Sequence, residues 1–252
     1  MAKNAHITAL VTGSSRGIGA AIARSLAENG AEVILHFNQN RDAAEKTAAQ
    51  ISGKTHIVQA DLSQKDAALN LWKEAQNISA NPINLLVNNA AIMPSAGMDD
   101  PWEQWSRTWA DVMQTNLIAC ADLCRLAIND YLEIGGGKII NISSRAAHRG
   151  DAPDYLHYGA SKGALSALTK GIARGFAKDN ILAFTIAPGF TKTEMARGFV
   201  AVHGEAAATK DIPLGEMASP EEIGDLVSFL AEKDIRHMTG ATFDVNGASY
   251  VR

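Results

Sequence analysis

Residues 6–30 read HITALVTGSSRGIGAAIARSLAENG. The first six, His6–Val11, are nearly continuous in apolar and β-branched character, as expected of a strand covered on both faces. TGSSRGIG, Thr12–Gly19, follows at once, and the alanine-rich stretch beyond it keeps helical spacing until Gly30 stops it. Strand, glycine turn and helix in that order make a pyrophosphate site. Gly13, Gly17 and Gly19 allow a tight turn, close approach of a phosphate to the backbone, and near contact of helix and sheet. The free N–H groups of the first helical turn then face the anion. Gly13, Ser15, Arg16, Gly17, Ile18 and Gly19 are the candidate contacts.

Outward from this turn the pattern repeats. Further apolar runs fall at Glu32–Phe37, Thr55–Ala60, Ile83–Asn88, Lys138–Ser143, Ile181–Ala187 and Ala241–Val245, with helical, alanine-rich stretches between several of them. Ser219-Pro220 opens the last helix with a cap and a proline at its first position. Alternating strand and helix predicts an α/β fold: one Rossmann-type domain over residues 1–252, its seven-stranded, mainly parallel sheet doubly wound with helices on both faces. Trp102, Trp105 and Trp109 share one helical stripe, read as packing rather than substrate stacking. Cys120 and Cys124 lie one turn apart with no nearby His or third Cys, so no metal site is expected.

Composition narrows the function. Of the 252 residues 46% are apolar and 20% charged, with a formal net charge of −4, so no concentrated basic surface exists to hold nucleic acid. The N-terminal MAKNAHITAL has no apolar signal core and no run is long enough to cross a bilayer, which predicts a cytoplasmic protein without membrane contact. The second strand ends HFNQNR, with Phe37 and Asn38 where an NAD-preferring site would place an acid against the ribose 2′-hydroxyl. Arg16 and Arg41 are placed to meet a 2′-phosphate, so NADP(H) is favoured over NAD(H) as cofactor.

Further marks come in order along the chain: NNAA (Asn88–Ala91), Asn116, NISS ending at Ser144, Tyr158-Gly-Ala-Ser-Lys162, and PGFTKT (Pro188–Thr193). With TGSSRGIG they make the sequence resemble the short-chain dehydrogenase/reductase family, in its compact form and over almost the whole chain. The tyrosine-to-lysine gap differs from the wider one of the enoyl-reductase form. The resemblance implies a catalytic set of Asn116, Ser144, Tyr158 and Lys162. Tyr158 would be the acid–base group, and Lys162, one turn along the same helix, would favour its phenolate and bond the nicotinamide ribose. Ser144 would bond the substrate oxygen and Asn116 would hold a water linking Lys162 to solvent. Tyr155 has no such counterpart. Ser144 stands one position further from Tyr158 than is usual in the family, which leaves Ser143 as the other candidate. His148 and His157 match no family position. Cofactor contacts implied by resemblance are Asn38, Asp61, Leu62, Asn88, Ala90, Pro188, Gly189, Thr191 and Thr193, with Tyr158 and Lys162.

Departures from the family pattern are NNAA for the commoner NNAG, Phe184 where asparagine is frequent, and a tail reading DVNGASYVR. The likeness is greatest to 3-oxoacyl-carrier-protein reductases. The stretch CADLCRLAINDYLEIGGGK, however, sets only Arg125 and Lys138 against Asp122, Asp130 and Glu133, too few cations to greet an acidic carrier protein. A small-molecule ketone or secondary alcohol is the expected substrate. An NAD-dependent sugar or polyol dehydrogenase and a non-catalytic dinucleotide sensor are the alternatives. Residues 190–213 are expected to form a lid, and the family habit implies a homotetramer, with the tryptophans and the two cysteines fitting a helix interface.

Overall fold

The computed structural model describes residues 6–251, and within them the side chains at 198, 199, 202 and 203 are outside the description. The first five residues of the N-terminal stretch read above therefore lie outside the described residues, as do those four lid side chains. The strands are β1 (Thr8–Val11), β2 (Glu32–Phe37), β3 (Thr55–Gln59), β4 (Leu85–Asn88), β5 (Gly137–Ile142), β6 (Ile181–Pro188) and β7 (Thr242–Val245). They form one sheet in the order β3-β2-β1-β4-β5-β6-β7, every pairing parallel. The order reverses between β1 and β4, and such a switch point opens a crevice beyond the carboxyl ends of the strands.

Helices α1 (Gly17–Glu28) and α2 (Arg41–Ala49) follow β1 and β2, and α3 (Ala67–Ile78) follows β3. Between β4 and β5 run α4 (Trp102–Met113) and α5 (Ala119–Ile134), joined by one π-helical turn, Gln114–Ile118. Then come α6 (Ala146–Arg149), α7 (Leu156–Phe176), α8 (Glu194–His203), α9 (Glu205–Thr209) and α10 (Pro220–Glu232). Because successive strand side chains point to opposite faces, the near-continuous apolar runs supply two cores at once. Leu10, Ile34, Leu86 and Ile139 pack under α3, α5 and α7, while Ala9, Val33, Val87 and Ile140 pack under α1 and α10.

Two sequence readings change here. Cys120 and Cys124 are buried within the chain's own core, where Asn88 Nδ2 donates to Cys124 Sγ at 3.4 Å, so neither serves an interface. Lys138 is also buried: its ammonium donates to the carbonyls of Leu230, Ala231 and Lys233 at 2.7–2.9 Å and so closes the C-terminus of α10. It is not a surface cation. Among the described residues no helix is long and apolar enough to cross a membrane, and no group of His, Cys, Asp or Glu could hold a metal ion.

Candidate active site

The glycine turn is shaped by contacts that leave no room for side chains. A Cβ on Gly13 would stand 2.9 Å from Ala90 Cα, and one on Gly19 only 2.3 Å from the Gly13 carbonyl oxygen. Thr12 Oγ1 accepts the N–H groups of Asn89 (2.9 Å) and Ala90 (3.0 Å), and Asn89 Nδ2 donates to the carbonyls of Thr12 and Gly13. These bonds lock the turn to the end of β4. Helix α1 receives no side-chain cap, as is also true of α3 and α4. What sets it apart is the glycine turn before it, which lets an anion approach its first N–H groups, and the residues present fit a dinucleotide phosphate.

His36, on β2, braces the same turn. Its Nδ1 accepts the Gly13 N–H at 3.0 Å and its Nε2 donates to the Ala60 carbonyl at 3.0 Å. That pairing fixes one neutral tautomer. Burial pushes the imidazole pKa down to about 4, against smaller upward pulls from the Ala60 bond and Asp61. Neither His36 nor Asn89 stands out in the sequence as a site residue, since each looks like an ordinary polar residue at a strand end.

Around the adenosine side of the crevice, Asn38 Nδ2 donates to Asp61 Oδ1 at 3.3 Å. Hydrogen bonds from Ser63 above all hold the Asp61 carboxyl below its usual range, burial opposing them. Leu62 turns its side chain into the core, leaving only backbone for a ligand. Ser15 offers its carbonyl to Thr47 Oγ1 at 3.0 Å, and Ile18 packs against the core beneath α1. The side chain of Asn88 does not face the crevice. Its Nδ2 donates to Asn141 Oδ1 at 2.8 Å, and Asn141 in turn donates to Thr169, a buried line running beneath the sheet's end. Arg41 stacks on Phe37 and pairs with Glu45 at 3.6 Å, so it belongs to the exposed face of α2. Arg16 pairs with Glu194 at the start of α8. A cleft of about 230 Å³ lies between the glycine turn and the start of α8, lined by Arg16, Arg24, Lys192 and Arg197, of which the first three pair with Glu194, Glu221 and Glu216. These exposed pairs are weak enough for a polyanion to compete for the cations.

At the carboxyl ends of β5 and β6 the remaining groups converge. Tyr158 and Lys162 share one face of α7, the Lys162 ammonium lying 5.7 Å from the Tyr158 ring centre and donating to the Ile142 carbonyl at 2.8 Å. Burial pushes the Tyr158 phenol up to about 12; a hydrogen bond with Ser144 works the other way and Asp151 adds to the rise. Burial likewise pushes the Lys162 ammonium down to about 8. In the free protein burial is the largest influence on both groups and favours the neutral form of each.

The two serines separate cleanly. Ser143 is buried, donating to the Lys162 carbonyl at 2.9 Å and sharing a hydrogen bond with Ser166 at 2.8 Å. Ser144 is the one that meets the tyrosine hydroxyl, and its Oγ accepts the Ala146 N–H at 3.1 Å. Asn116 sits in the π-helical turn, where its amide clamps the Ile92 backbone N–H and carbonyl, each at 2.9 Å, and reaches Ser161 at 3.2 Å. With its side chain so committed, the expected water could be held only by its backbone. Pro188 accepts the Arg145 N–H at 2.9 Å, Gly189 N–H donates to Val245, Thr191 bridges to Ala218, and Thr193 caps α8. His157 is buried, bonded to the Pro94 carbonyl at 2.9 Å, and His148 stacks on Tyr250.

Residues 13–248 match a family model described as enoyl-(acyl carrier protein) reductase. The chain belongs to the short-chain dehydrogenase/reductase family. It is accordingly an NAD(P)-dependent oxidoreductase of the carbonyl/alcohol couple. Among its relatives in this family, the 3-oxoacyl-[acyl-carrier-protein] reductase of Aquifex aeolicus is 33% identical over 248 residues, 96% of each chain. A solved 3-oxoacyl (acyl-carrier-protein) reductase from Agrobacterium tumefaciens with NADP bound superposes with a TM-score of 0.86 at 32% identity, covering 96% of this chain and 93% of that one. An angucycline C-6 ketoreductase with bound NADP gives a TM-score of 0.85 at 31% identity, covering 96% and 95%.

Proposed function

We propose that the protein reduces a ketone to a secondary alcohol with NADP(H), in the manner of the 3-oxoacyl-carrier-protein reductases it resembles but on a small molecule. The observation that carries this reading is the convergence of Ser144, Tyr158 and Lys162 at the ends of β5 and β6, beside an uncapped glycine turn. The bound dinucleotide supplies the hydride. Tyr158, protonated at neutral pH with its phenol near 12, is ready to give its proton to the developing alkoxide oxygen. Ser144, already on the phenol, would share that oxygen. Lys162 would neutralise the phenolate left behind, and the Asn116 backbone would pass a water's proton back toward it. Ser143 keeps α7 in place through the Lys162 carbonyl and has no part in the chemistry.

NADP(H) is preferred in this reading because Asn38 presents no carboxylate and Arg16 lines the cleft at the glycine turn in an exposed pair. Glu194 holds Arg16 in the free protein and would release it to a 2′-phosphate. The burial of Lys138 removes one of the few cations that could have met a carrier protein, which favours a free substrate. The same reading makes residues 1–252 one domain of a cytoplasmic homotetramer, with 190–213 as its lid.

The test is Tyr158→Phe. It should retain NADPH binding, read by the cofactor's fluorescence, and lose at least about 1000-fold in NADPH oxidation with a ketone panel. Turnover near wild type would sink the assignment, and a clear preference for NADH would overturn the cofactor choice.

A further inference from the structure

The guanidinium of Arg145 is partly buried, and one of its terminal nitrogens, Nη1, lies inside the protein with no hydrogen-bond partner. Among the described residues no carboxylate is within ion-pair distance. Asp211 pairs instead with Arg149 at 3.2 Å, and Asp151 accepts the Ala152 N–H at 2.9 Å. What Arg145 does touch is the Phe190 ring, its guanidinium carbon 5.0 Å from the ring centre. Burial above all, then the neighbouring Arg149, pushes its pKa below the usual arginine range, while Asp211 and Asp151 pull the other way from beyond ion-pair distance. A partly buried cation with no direct partner on one nitrogen is costly, and a leucine could pack on Phe190 without that cost.

Its place in the chain says what the cation faces. Arg145 follows Ser144 directly, and its backbone N–H is tied to the Pro188 carbonyl at 2.9 Å, just ahead of Phe190 where the lid begins. The side chain reaches Phe190 at one end of the segment 190–213, and the charge of Asp151 acts on both Arg145 and Tyr158, so the guanidinium lies in the neighbourhood of the tyrosine. A guanidinium over an aromatic ring can keep N–H donors free, as Nη1 is here, and such donors match the oxygens of a carboxylate.

Building on the proposed reduction, we propose that Arg145 binds the carboxylate of a short keto acid, which makes the natural substrate an oxo-carboxylate and the product a hydroxy acid. Hydride passes from the nicotinamide to the carbonyl carbon, the Tyr158 proton passes to its oxygen, and the carboxylate is unchanged. One charged hydrogen-bonded pair in a partly dry site supports about 10- to 100-fold discrimination between an acid and its neutral ester.

The experiment compares pyruvate, acetoacetate and levulinate with their methyl esters, for wild type, Arg145→Lys and Arg145→Leu, each first shown by circular dichroism and thermal melting to be folded. Wild type should prefer at least one acid to its ester. Arg145→Leu should shrink that acid-to-ester ratio of kcat/KM by about 10- to 100-fold, and Arg145→Lys by less, since lysine keeps the charge without the fork. A ratio below one in wild type, or one unchanged in both variants, overturns the inference while leaving the reductase reading intact. If no ketone in either form oxidises NADPH, the reductase reading fails. Titration of the protein–NADPH complex with the same acids, followed by NADPH fluorescence, then decides the arginine separately: saturable binding lost in Arg145→Leu upholds it, and no binding overturns it.

Discussion

His36 shows how one ring can govern a phosphate site without touching the ligand. Its two nitrogens do separate jobs, Nδ1 accepting from Gly13 in the turn and Nε2 donating to Ala60 at the end of β3. Asparagine places an amide near Nδ1 and glutamine near Nε2, so the two substitutions divide those jobs. His36→Asn should keep the turn and raise the KM for NADPH no more than about threefold, whereas His36→Gln should raise it about tenfold with little change in kcat, the weight of one hydrogen bond. Equal effects of the two would show that the ring only fills space. The ring also carries a pH signature. Its folded pKa of about 4 lies below the ordinary 6.5, so the folded state binds the proton less well than the unfolded one. Its stability contribution is complete above pH 6.5 and is lost as pH falls toward 4, by at most about tenfold in the folding constant per pH unit. His36→Asn should flatten that acid slope in a series of thermal melts. Lys162 acts in the opposite range: with its ammonium near 8, kcat/KM for reduction should decline as pH rises through about 8, because the uncharged amine cannot stabilise the departing phenolate. A profile flat to pH 10 would remove Lys162 from the proton path. That Tyr158 and Lys162 share a helix face was legible from spacing, but their roles, and the choice of Tyr158 over Tyr155, came only from the family resemblance. The bracing by His36, the bonds of Asn89 and the inward turn of Asn88 were not legible, because the partners that orient an amide or an imidazole come from other parts of the chain.

At the scale of elements, the proposed lid has an apolar cluster separate from the sheet's two cores. Ala196, Ala208, Ile212 and Met217 form a small cluster of their own with Phe190 and Val200 packed against it. Ties from this unit to the body include the Arg16–Glu194 and Arg149–Asp211 pairs, both on the surface, while the Thr191–Ala218 bridge and the Lys192–Glu216 pair join its own two ends. Exposed pairs contribute about 0.2–1 kcal/mol at most, so this unit should open far more readily than β5 or β6. Hydrogen exchange should find the amides of α8 and α9 exchanging at least about 100-fold faster than those of β5, and slowed by NADPH. Equal protection in the free protein would make the segment part of the rigid body instead of a lid. All seven strands were legible to within about two residues at each end, since buried parallel strands write themselves as unbroken apolar runs. The π-helical turn at Gln114–Ile118 was hidden: QTNLI has no local mark of it, and it exists because Asn116 is drawn out to clamp the Ile92 backbone.

Over the whole molecule, the switch point between β1 and β4 leaves one crevice for the dinucleotide, and the long α4–α5 segment faces outward beyond it. The tryptophans there form a ladder, Trp102 on Trp105 at 5.3 Å, Trp105 on Trp109 at 5.2 Å, and Trp109 against His157 at 5.8 Å. The inner end is anchored by buried His157 beside Tyr158, but the outer end is bare, Trp102 being 74% exposed. An indole left in water at the end of an ordered stack gives up a few kcal/mol that burial would recover, and a two-fold contact between copies would recover it twice. If the proposed homotetramer forms, the stripe is the face expected at one of its interfaces, while the cysteines, sealed in the core, are not. Trp102→Glu gives up inside the subunit only the exposed stack on Trp105, so its melting temperature and its dinucleotide binding measured at high protein concentration should stay near wild type. Its sedimentation mass at micromolar concentration should nevertheless fall below that of wild type, because burying two carboxylates against each other costs far more than an exposed rim contact returns. A wild type that sediments as a monomer would dispose of the tetramer, and a Trp102→Glu variant of unchanged mass would move the interface to another face.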